Sequence, residues 1–471
     1  MSASQPPLLP DATRTLASFG ANLRYEDLPA DVVARIKTSV LDSLGCCLFG
    51  STLPWTRKVA ALAGREEARG VASMIGLGRR TSPSLAALVN GLAGHAFELD
   101  DIHKESIVHA GSIATPVALA LAEQRGTTTG AEFITAMVAG YEIGHRVGSA
   151  ATMSLFFRGF HPQGTSGVFV AAATAARMLG LDASAFQHAL GIAGSQAGGL
   201  MAAQEGAMVK RFHCGRAAQS GIYSADLARD GFTGITDVLE AAYGGYLSSY
   251  SDKPNPARLT NDLGSQWETL AVGYKPHASV TSIHSALDSM KAIMAEQRLA
   301  ADDVARVEAG LSPMTHVHCA WAYKAQGVTA AQMNLFFGLA VIAEDGVAFT
   351  EQFREDRLAD PRLLDFIGRI SAHVDPEIEQ MGAPFRHASR LRVTTRDGRV
   401  FEKLALHRRG SPENPIGHDE IEAKFRAVVA PCMSAADAQR IVDVVNRLET
   451  LESMAPLIRL VAVDLDAQGS R

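Results

Sequence analysis

Apolar residues recur at helical spacing through the first half of the chain. Val32, Val33, Ile36, Val40, Leu41 and Leu44 repeat every three to four positions, which predicts a helix over 31–49. The same period predicts helices over 84–101, 113–124, 131–149, 165–179 and 183–194. Thr129 and Asp182 stand where N-caps of the helices at 131 and 183 belong. Several of these stretches read GVFVAAATAARMLG, ALGIAGSQAGG or CGRAAQSGIYSADLARDG, with Ala and Gly where large side chains usually stand. Small residues let backbones approach closely, so a compact bundle with some helices buried all round is expected.

The pattern changes near residue 255. SDKPNPARLT has two prolines and no apolar period, and reads as a linker or surface loop. A helix over 279–296, a β-branched run at 304–309 and a helix over 330–343 follow. LRVTTRDGRVFEKLAL alternates on both sides of an Arg-Asp-Gly-Arg turn, a hairpin signal. From His418 the helical period returns in HDEIEAKFRAVVAP and SAADAQRIVDVVNRLETLE, the second capped by Ser434. The expected fold class is therefore mainly α: a large helical domain from both chain ends (1–268 with 406–471) and a smaller α+β domain (269–405).

Composition narrows the function. The 471 residues carry 44 Lys+Arg against 50 Asp+Glu, a net charge of −6, with 47% hydrophobic, 20% charged and 6% aromatic residues. That balance excludes a disordered chain and gives no basic block for nucleic acid. No apolar stretch is long enough to predict a membrane span, and MSASQPPLLPD lacks the pattern of a secretory signal. Five scattered Cys form neither a disulfide framework nor a cluster-binding pattern, so a reducing, cytoplasmic setting is expected.

Four segments concentrate His, Lys and carboxylates among glycines. GHAFELDDIHKESIVHAGS (94–112) holds Glu98, Asp100, His103 and His109, and carboxylate–His pairs are the usual means of general acid–base catalysis. RGFHPQGTSGVF (158–169) sets His161 before a helix start, where free N–H groups suit an anion. QEGAMVKRFHCGRAA (204–218) carries Lys210, Arg211 and His213 in a turn before an Ala-rich helix; for Arg211 alone a surface role is the plainer reading. GYKPHASVTSIHSALD (273–288) sets Lys275, His277 and Ser279 at another helix start, with His284 read as a core histidine. His316 and His318 form HVH, which on a strand would point both rings to one side. HEXXH is absent, so the metal-free reading is preferred. GxSxG, GxGxxG and GxxxxGK[ST] are also missing.

These segments, in this order, resemble the MmgE/PrpD family. HAFELDDIHKESIVHAGS is similar to that family's HALDFDDTHxxSxxHPG. The other three are similar to its G-[FW]-H-P-T-G-T-x-G, K-R-x-H-x-G-x-A-A and K-P-Y-x-C-C segments. The likeness runs from about residue 10 to 455. It implies a helical domain closed by an α+β lid, a homodimer, and a reaction without metal or other cofactor. The implied substrate is a small polycarboxylate, and the implied chemistry is proton transfer beside a carboxylate. On that basis Asp100, His109, His161 and Lys210 are the expected catalytic residues. Glu98, His103, His213, Lys275, His277 and Ser279 are expected to bind substrate. A 2-methylcitrate dehydratase-like hydro-lyase is the leading expectation. A cis-aconitate decarboxylase-like enzyme, an iminodisuccinate epimerase-like enzyme and a non-catalytic binding protein are the alternatives. The sequence departs from the family pattern at Glu98, Ile102, Ala110, His277, Ser279, Val280 and Thr281.

Overall fold

A computed structural model describes residues 9–66 and 69–468. Residues 1–8, on which most of the signal-segment reading falls, lie outside the described residues.

Two buried apolar clusters organise the chain. The first joins helices Ala30–Ser51, Pro83–Gly94, Gly111–Arg125, Gly130–Ala151, Gly167–Met178, Ala183–Gly194 and Val209–Arg229 to the late helices His418–Val429, Ala435–Asn446 and Ala455–Val461. His418–Val429 and Ala435–Asn446 pack back on Ala30–Ser51, where Lys424 Nζ donates to Asp42 Oδ1 at 2.6 Å and to the Leu99 carbonyl at 2.6 Å. Pro83–Gly94 and Val209–Arg229 meet backbone to backbone. A Cβ on Gly215 would lie 2.2 Å from the Leu88 carbonyl oxygen, and one on Gly91 3.2 Å from the Gly215 Cα. The in-helix glycines at this crossing therefore serve packing.

The second cluster lies under a four-stranded sheet in the order Ile370–Val374, Val304–Leu311, Ser389–Thr395, Val400–Ala405. The first pair is parallel and the others antiparallel. Along Ser389–Thr395, positions 389, 391, 393 and 395 are buried, the period-two pattern of a half-covered strand. Helix His284–Glu296 covers that face, and Leu335–Asp345 packs against that helix.

The predicted boundaries fail where chemistry interrupts the period. The helix expected over 84–101 ends at Gly94, because 95–101 is irregular backbone. The helix over 165–179 is split at Ser166 into Pro162–Thr165 and Gly167–Met178. Lys210, Arg211 and His213 stand inside the first turns of Val209–Arg229, not in a turn before it. The helix expected from Ser279 starts at His284 after a 3₁₀ turn, so Ser279 is not at its N-terminus. Asn334 breaks 330–343, capping Leu335–Asp345 through Phe337 N–H at 3.1 Å. His316 and His318 lie on the helix Pro313–Cys319, where i and i+2 diverge in direction, so the one-sided pair expected on a strand is not formed. Thr129, Asp182 and Ser434 cap as expected. Among the described residues no helix is long and apolar enough to cross a membrane.

Candidate active site

A short antiparallel pairing, Ile102 with Gly273 and His103 with Val272, ties the first motif to the fourth. It delivers Lys275 to Glu98. Because side chains alternate along a strand, Ile102 faces the cavity described below while His103 turns the other way. Gln163 ties in the second and third motifs. Its amide accepts from His109 N–H at 2.8 Å, donates to the His109 carbonyl at 3.0 Å, and reaches Cys214 Sγ at 3.1 Å.

Between the two apolar clusters lies a cavity of about 70 Å³. The helical side contributes Glu98, His109, His161 and Lys210; the other side contributes Lys275, Thr281, Ser282, His318 and His387. Glu98 is the hub. Its Oε1 accepts from Lys210 Nζ and from Arg211 Nη1 (2.6 Å), and its Oε2 accepts from Lys275 Nζ at 3.0 Å. Burial by itself would raise this carboxyl. Lys210, Lys275 and Arg211 outweigh it and hold the group well below the usual range. Glu98 takes a left-handed φ of 55° and Ile107 one of 54°, conformations uncommon outside glycine. Arg211 is buried in this ion cluster, against the surface role expected for it. Burial brings the Lys210 ammonium down to about 8, partly opposed by Glu98.

Asp100 organises the histidines. Its Oδ2 meets His95 Nδ1 at 2.7 Å and accepts from Ser112 Oγ at 2.6 Å; its Oδ1 lies 3.3 Å from His109 Nδ1 and 3.9 Å from Lys275 Nζ. Burial pulls His95 down to about 4, so it is neutral at physiological pH. Burial, with Lys210 next, also pushes His161 well below its ordinary value. His161 and His213 share a hydrogen bond between Nδ1 atoms at 2.9 Å, so one ring donates and the other accepts. His95, Asp100 and His109 bring ligand-type atoms within 4.8 Å of one another. Ser112 and His95 already occupy Asp100 Oδ2.

The structure thus gathers Glu98, Asp100, His109, His161, Lys210 and Lys275. Among the described residues, Asp100, His103, His213, His277 and Ser279 do not line the cavity; Asp100 reaches it only through His109. His103 pairs with Glu268 (3.0 Å) and Ser106 (3.0 Å). His277 faces another cleft and pairs with Asp288 at 3.0 Å. Ser279 is buried, and its carbonyl meets His284 Nε2 at 3.1 Å, which makes His284 a core histidine as expected. The site residues expected from the sequence do not include His95, His318 or His387. His95 was within reach, since it opens the first motif. His318 and His387 come from a distant part of the chain, where the HVH pair around His318 points to a metal ligand and nothing marks His387.

The MmgE/PrpD N-terminal domain matches residues 14–258, and the MmgE/PrpD C-terminal domain matches residues 277–450. The chain is 33% identical over 475 residues to the cis-aconitate decarboxylase-like protein oryM of Aspergillus oryzae, covering 97% of this chain and 98% of that protein. It is 30% identical over 469 residues to a cis-aconitate decarboxylase of Aspergillus terreus, covering 95% of each. It is 26% identical over 467 residues to the cis-aconitate decarboxylase of Homo sapiens, covering 96% of this chain and 95% of that protein.

Proposed function

Since the chain belongs to the MmgE/PrpD family, we propose that it is a carboxy-lyase of the cis-aconitate decarboxylase type, acting on a small tricarboxylate. The names of its relatives favour this alternative over the dehydration that leads the sequence reading. The observation that carries it is the buried cavity in which Lys210 and Lys275 stand beside His109 and His161.

Decarboxylation of cis-aconitate breaks one bond to a carboxylate carbon. Its electron pair becomes a new carbon–carbon double bond, and the old double bond takes up a proton at its far carbon. One proton is consumed and one CO₂ leaves. The protein must hold the remaining carboxylates, exclude water and deliver that proton. Three cations, Lys210, Arg211 and Lys275, face the two carboxylates of Glu98 and Asp100, so positive charge is left over for an anion. Lys210, with its value near 8, is mostly charged at neutral pH and still able to give up a proton; it is the proton donor in this reading. Asp100 orients His109, and burial keeps His161 uncharged beside the cations. Segment 269–405 serves as the lid that brings Lys275 and His318 to the substrate.

The test is incubation with cis-aconitate, citrate, 2-methylcitrate and iminodisuccinate in deuterated water, followed by proton NMR. The expected result is CO₂ release from cis-aconitate with one deuterium in the product. Water loss from 2-methylcitrate with no CO₂ from cis-aconitate would replace this reading by the dehydratase. Deuterium exchange into iminodisuccinate alone would replace it by the epimerase.

A further inference from the structure

His213 does not line the cavity, yet it stands one hydrogen bond behind a residue that does. On the helix Val209–Arg229, Lys210 and His213 are three positions apart, so their side chains are neighbours on the helix surface. Lys210 enters the cavity directly. His213 meets His161, which lines the cavity, Nδ1 to Nδ1 at 2.9 Å. Glycines make room for this pair. A Cβ on Gly199 would lie 3.2 Å from the His213 ring, and one on Gly164 3.2 Å from the His213 Cβ. Gly199 also holds the second partner, because its carbonyl accepts from His161 N–H at 3.0 Å. His161 is buried, and among the described residues its ring makes this one hydrogen bond.

The direction of the shared bond decides what His161 offers a substrate, because a neutral imidazole carries one N–H. If His213 donates, the His161 proton sits on Nε2 and the ring presents a donor. If His161 donates, its Nε2 is bare and the ring presents an acceptor. Two features choose between these. Burial, then Lys210, lowers both rings, but His161 lies well below its ordinary value, so the half-buried His213 takes up a proton first. A charged His213 has no bare nitrogen and can only donate. The ligand argues the same way. A tricarboxylate brings three negative charges, more than the positive charge left over on the wall. A neutral N–H binds the remaining carboxylate, whereas a bare nitrogen repels it. We propose that His213 is a positioning residue: it donates from Nδ1 to His161 and so fixes His161 as the Nε2–H tautomer, a neutral donor to a substrate carboxylate. This rests on the tricarboxylate reading above and adds a residue to it.

Two measurements test it on the full chain. The first is nitrogen NMR of protein with isotope-labelled histidine rings, alone and with tricarballylate, the saturated and unreactive analogue of cis-aconitate. The His161 signals are those lost in His161→Asn. Nε2 should carry the proton and Nδ1 should be bare in both states; a proton on Nδ1 overturns the proposal. The second is CO₂ release from cis-aconitate by variants that circular dichroism shows to be folded. His213→Leu should lower kcat/KM about 10–100-fold. Asn sets an amide N–H where Nδ1 stands, so His213→Asn should restore most of that loss. Gln reaches the position of Nε2 instead, so His213→Gln should not. A fall in melting temperature with kcat/KM unchanged in all three variants makes His213 a packing residue, and the proposal is wrong. Activity lost in His213→Asn and returned by added imidazole makes His213 a proton carrier, and the proposal is wrong again. If the parent neither binds tricarballylate nor releases CO₂ from cis-aconitate, the tricarboxylate reading falls, while the spectra of the free parent and of His213→Leu still decide whether His213 sets the tautomer.

Discussion

Residues 95–112 feed two buried polar networks with similar parts and different surroundings. On one side, His95, Asp100 and His109 join Glu98 and its three cations beside a cavity. On the other, His103 stacks on His145 with ring centroids 4.3 Å apart, and both rings bond to Ser106 Oγ. His103 also meets Glu268, which Arg258 holds at 3.1 Å. Asp101 extends this second network: it accepts from the Tyr141 hydroxyl at 2.8 Å and from Gly111 N–H at 3.0 Å. Carboxylate–histidine pairs occur in both, so their presence alone does not mark a catalytic group. What separates the two is access to a space that a substrate could fill, and excess positive charge around it. The closed network bonds its own polar atoms apart from His145 Nε2, and holds the motif in shape.

The sharpest way to break this comparison is Lys210→Ala. If the open network does the chemistry, kcat/KM should fall by about 10²–10⁴ while the circular dichroism and melting curve stay close to those of the parent. In the parent, activity should fall as pH rises through about 8, because the folded protein loses the Lys210 proton there and not near 10.5. A rate independent of pH between 7 and 9 would remove Lys210 as donor. Glu98→Gln comes next. It leaves Lys210 and Arg211 without their counter-charge and Lys275 with Asp100 alone, which should cost about 3–5 kcal/mol of stability, read by urea unfolding. A variant as stable as the parent would mean that Glu98 is not the hub.

His103→Gln tests the closed side. Losing the links to Glu268 and Ser106 should cost about 1–3 kcal/mol, with kcat/KM within a few-fold of the parent. A selective loss of kcat without loss of stability would place His103 in the chemistry and erase the distinction. The smallest effect is a slope. Burial raises the Asp101 carboxyl to about 8, far above 3.8. Its stabilising contribution is therefore full below 3.8 and is lost as pH rises towards 8. Asp101→Asn does not titrate, so its Tm relative to the parent should climb between pH 4 and 8. A constant difference over that range would show that Asp101 is ionised throughout.

Much of the fold can be read from spacing alone. The helix Ala183–Gly194 has the predicted bounds, Gly130–Ala151 and Ala435–Asn446 start at their predicted caps, and the hairpin Ser389–Thr395 with Val400–Ala405 turns at Arg396–Arg399 as read. Local hydrogen bonds and a repeating apolar stripe decide these elements, and both are written in neighbouring residues. Where the motifs lie, the reading blurred. Gly94 ends one helix early and Ser166 splits another, because the backbone there is bent to aim side chains rather than to continue a period.

The sequence by itself determined the helical character of the chain, the α+β segment within it, and the density of His, Lys and carboxylate in four short motifs. It also carried the family likeness, because those motifs keep their order. Only the tertiary structure decided which of those residues share a space. Glu98 and Lys275 stand 177 positions apart and meet because Ile102–His103 pairs with Val272–Gly273. The same pairing turns His103 away by strand alternation, which no count of histidines could reveal. Arg211 reads as a surface cation until the packing of Val209–Arg229 presses it onto Glu98. An apolar pocket has no motif at all, since Phe156, Met201, Met314 and Ile378 become neighbours only when distant segments close around one opening. Periodicity is a property of neighbours in the chain, whereas a site is a property of neighbours in space.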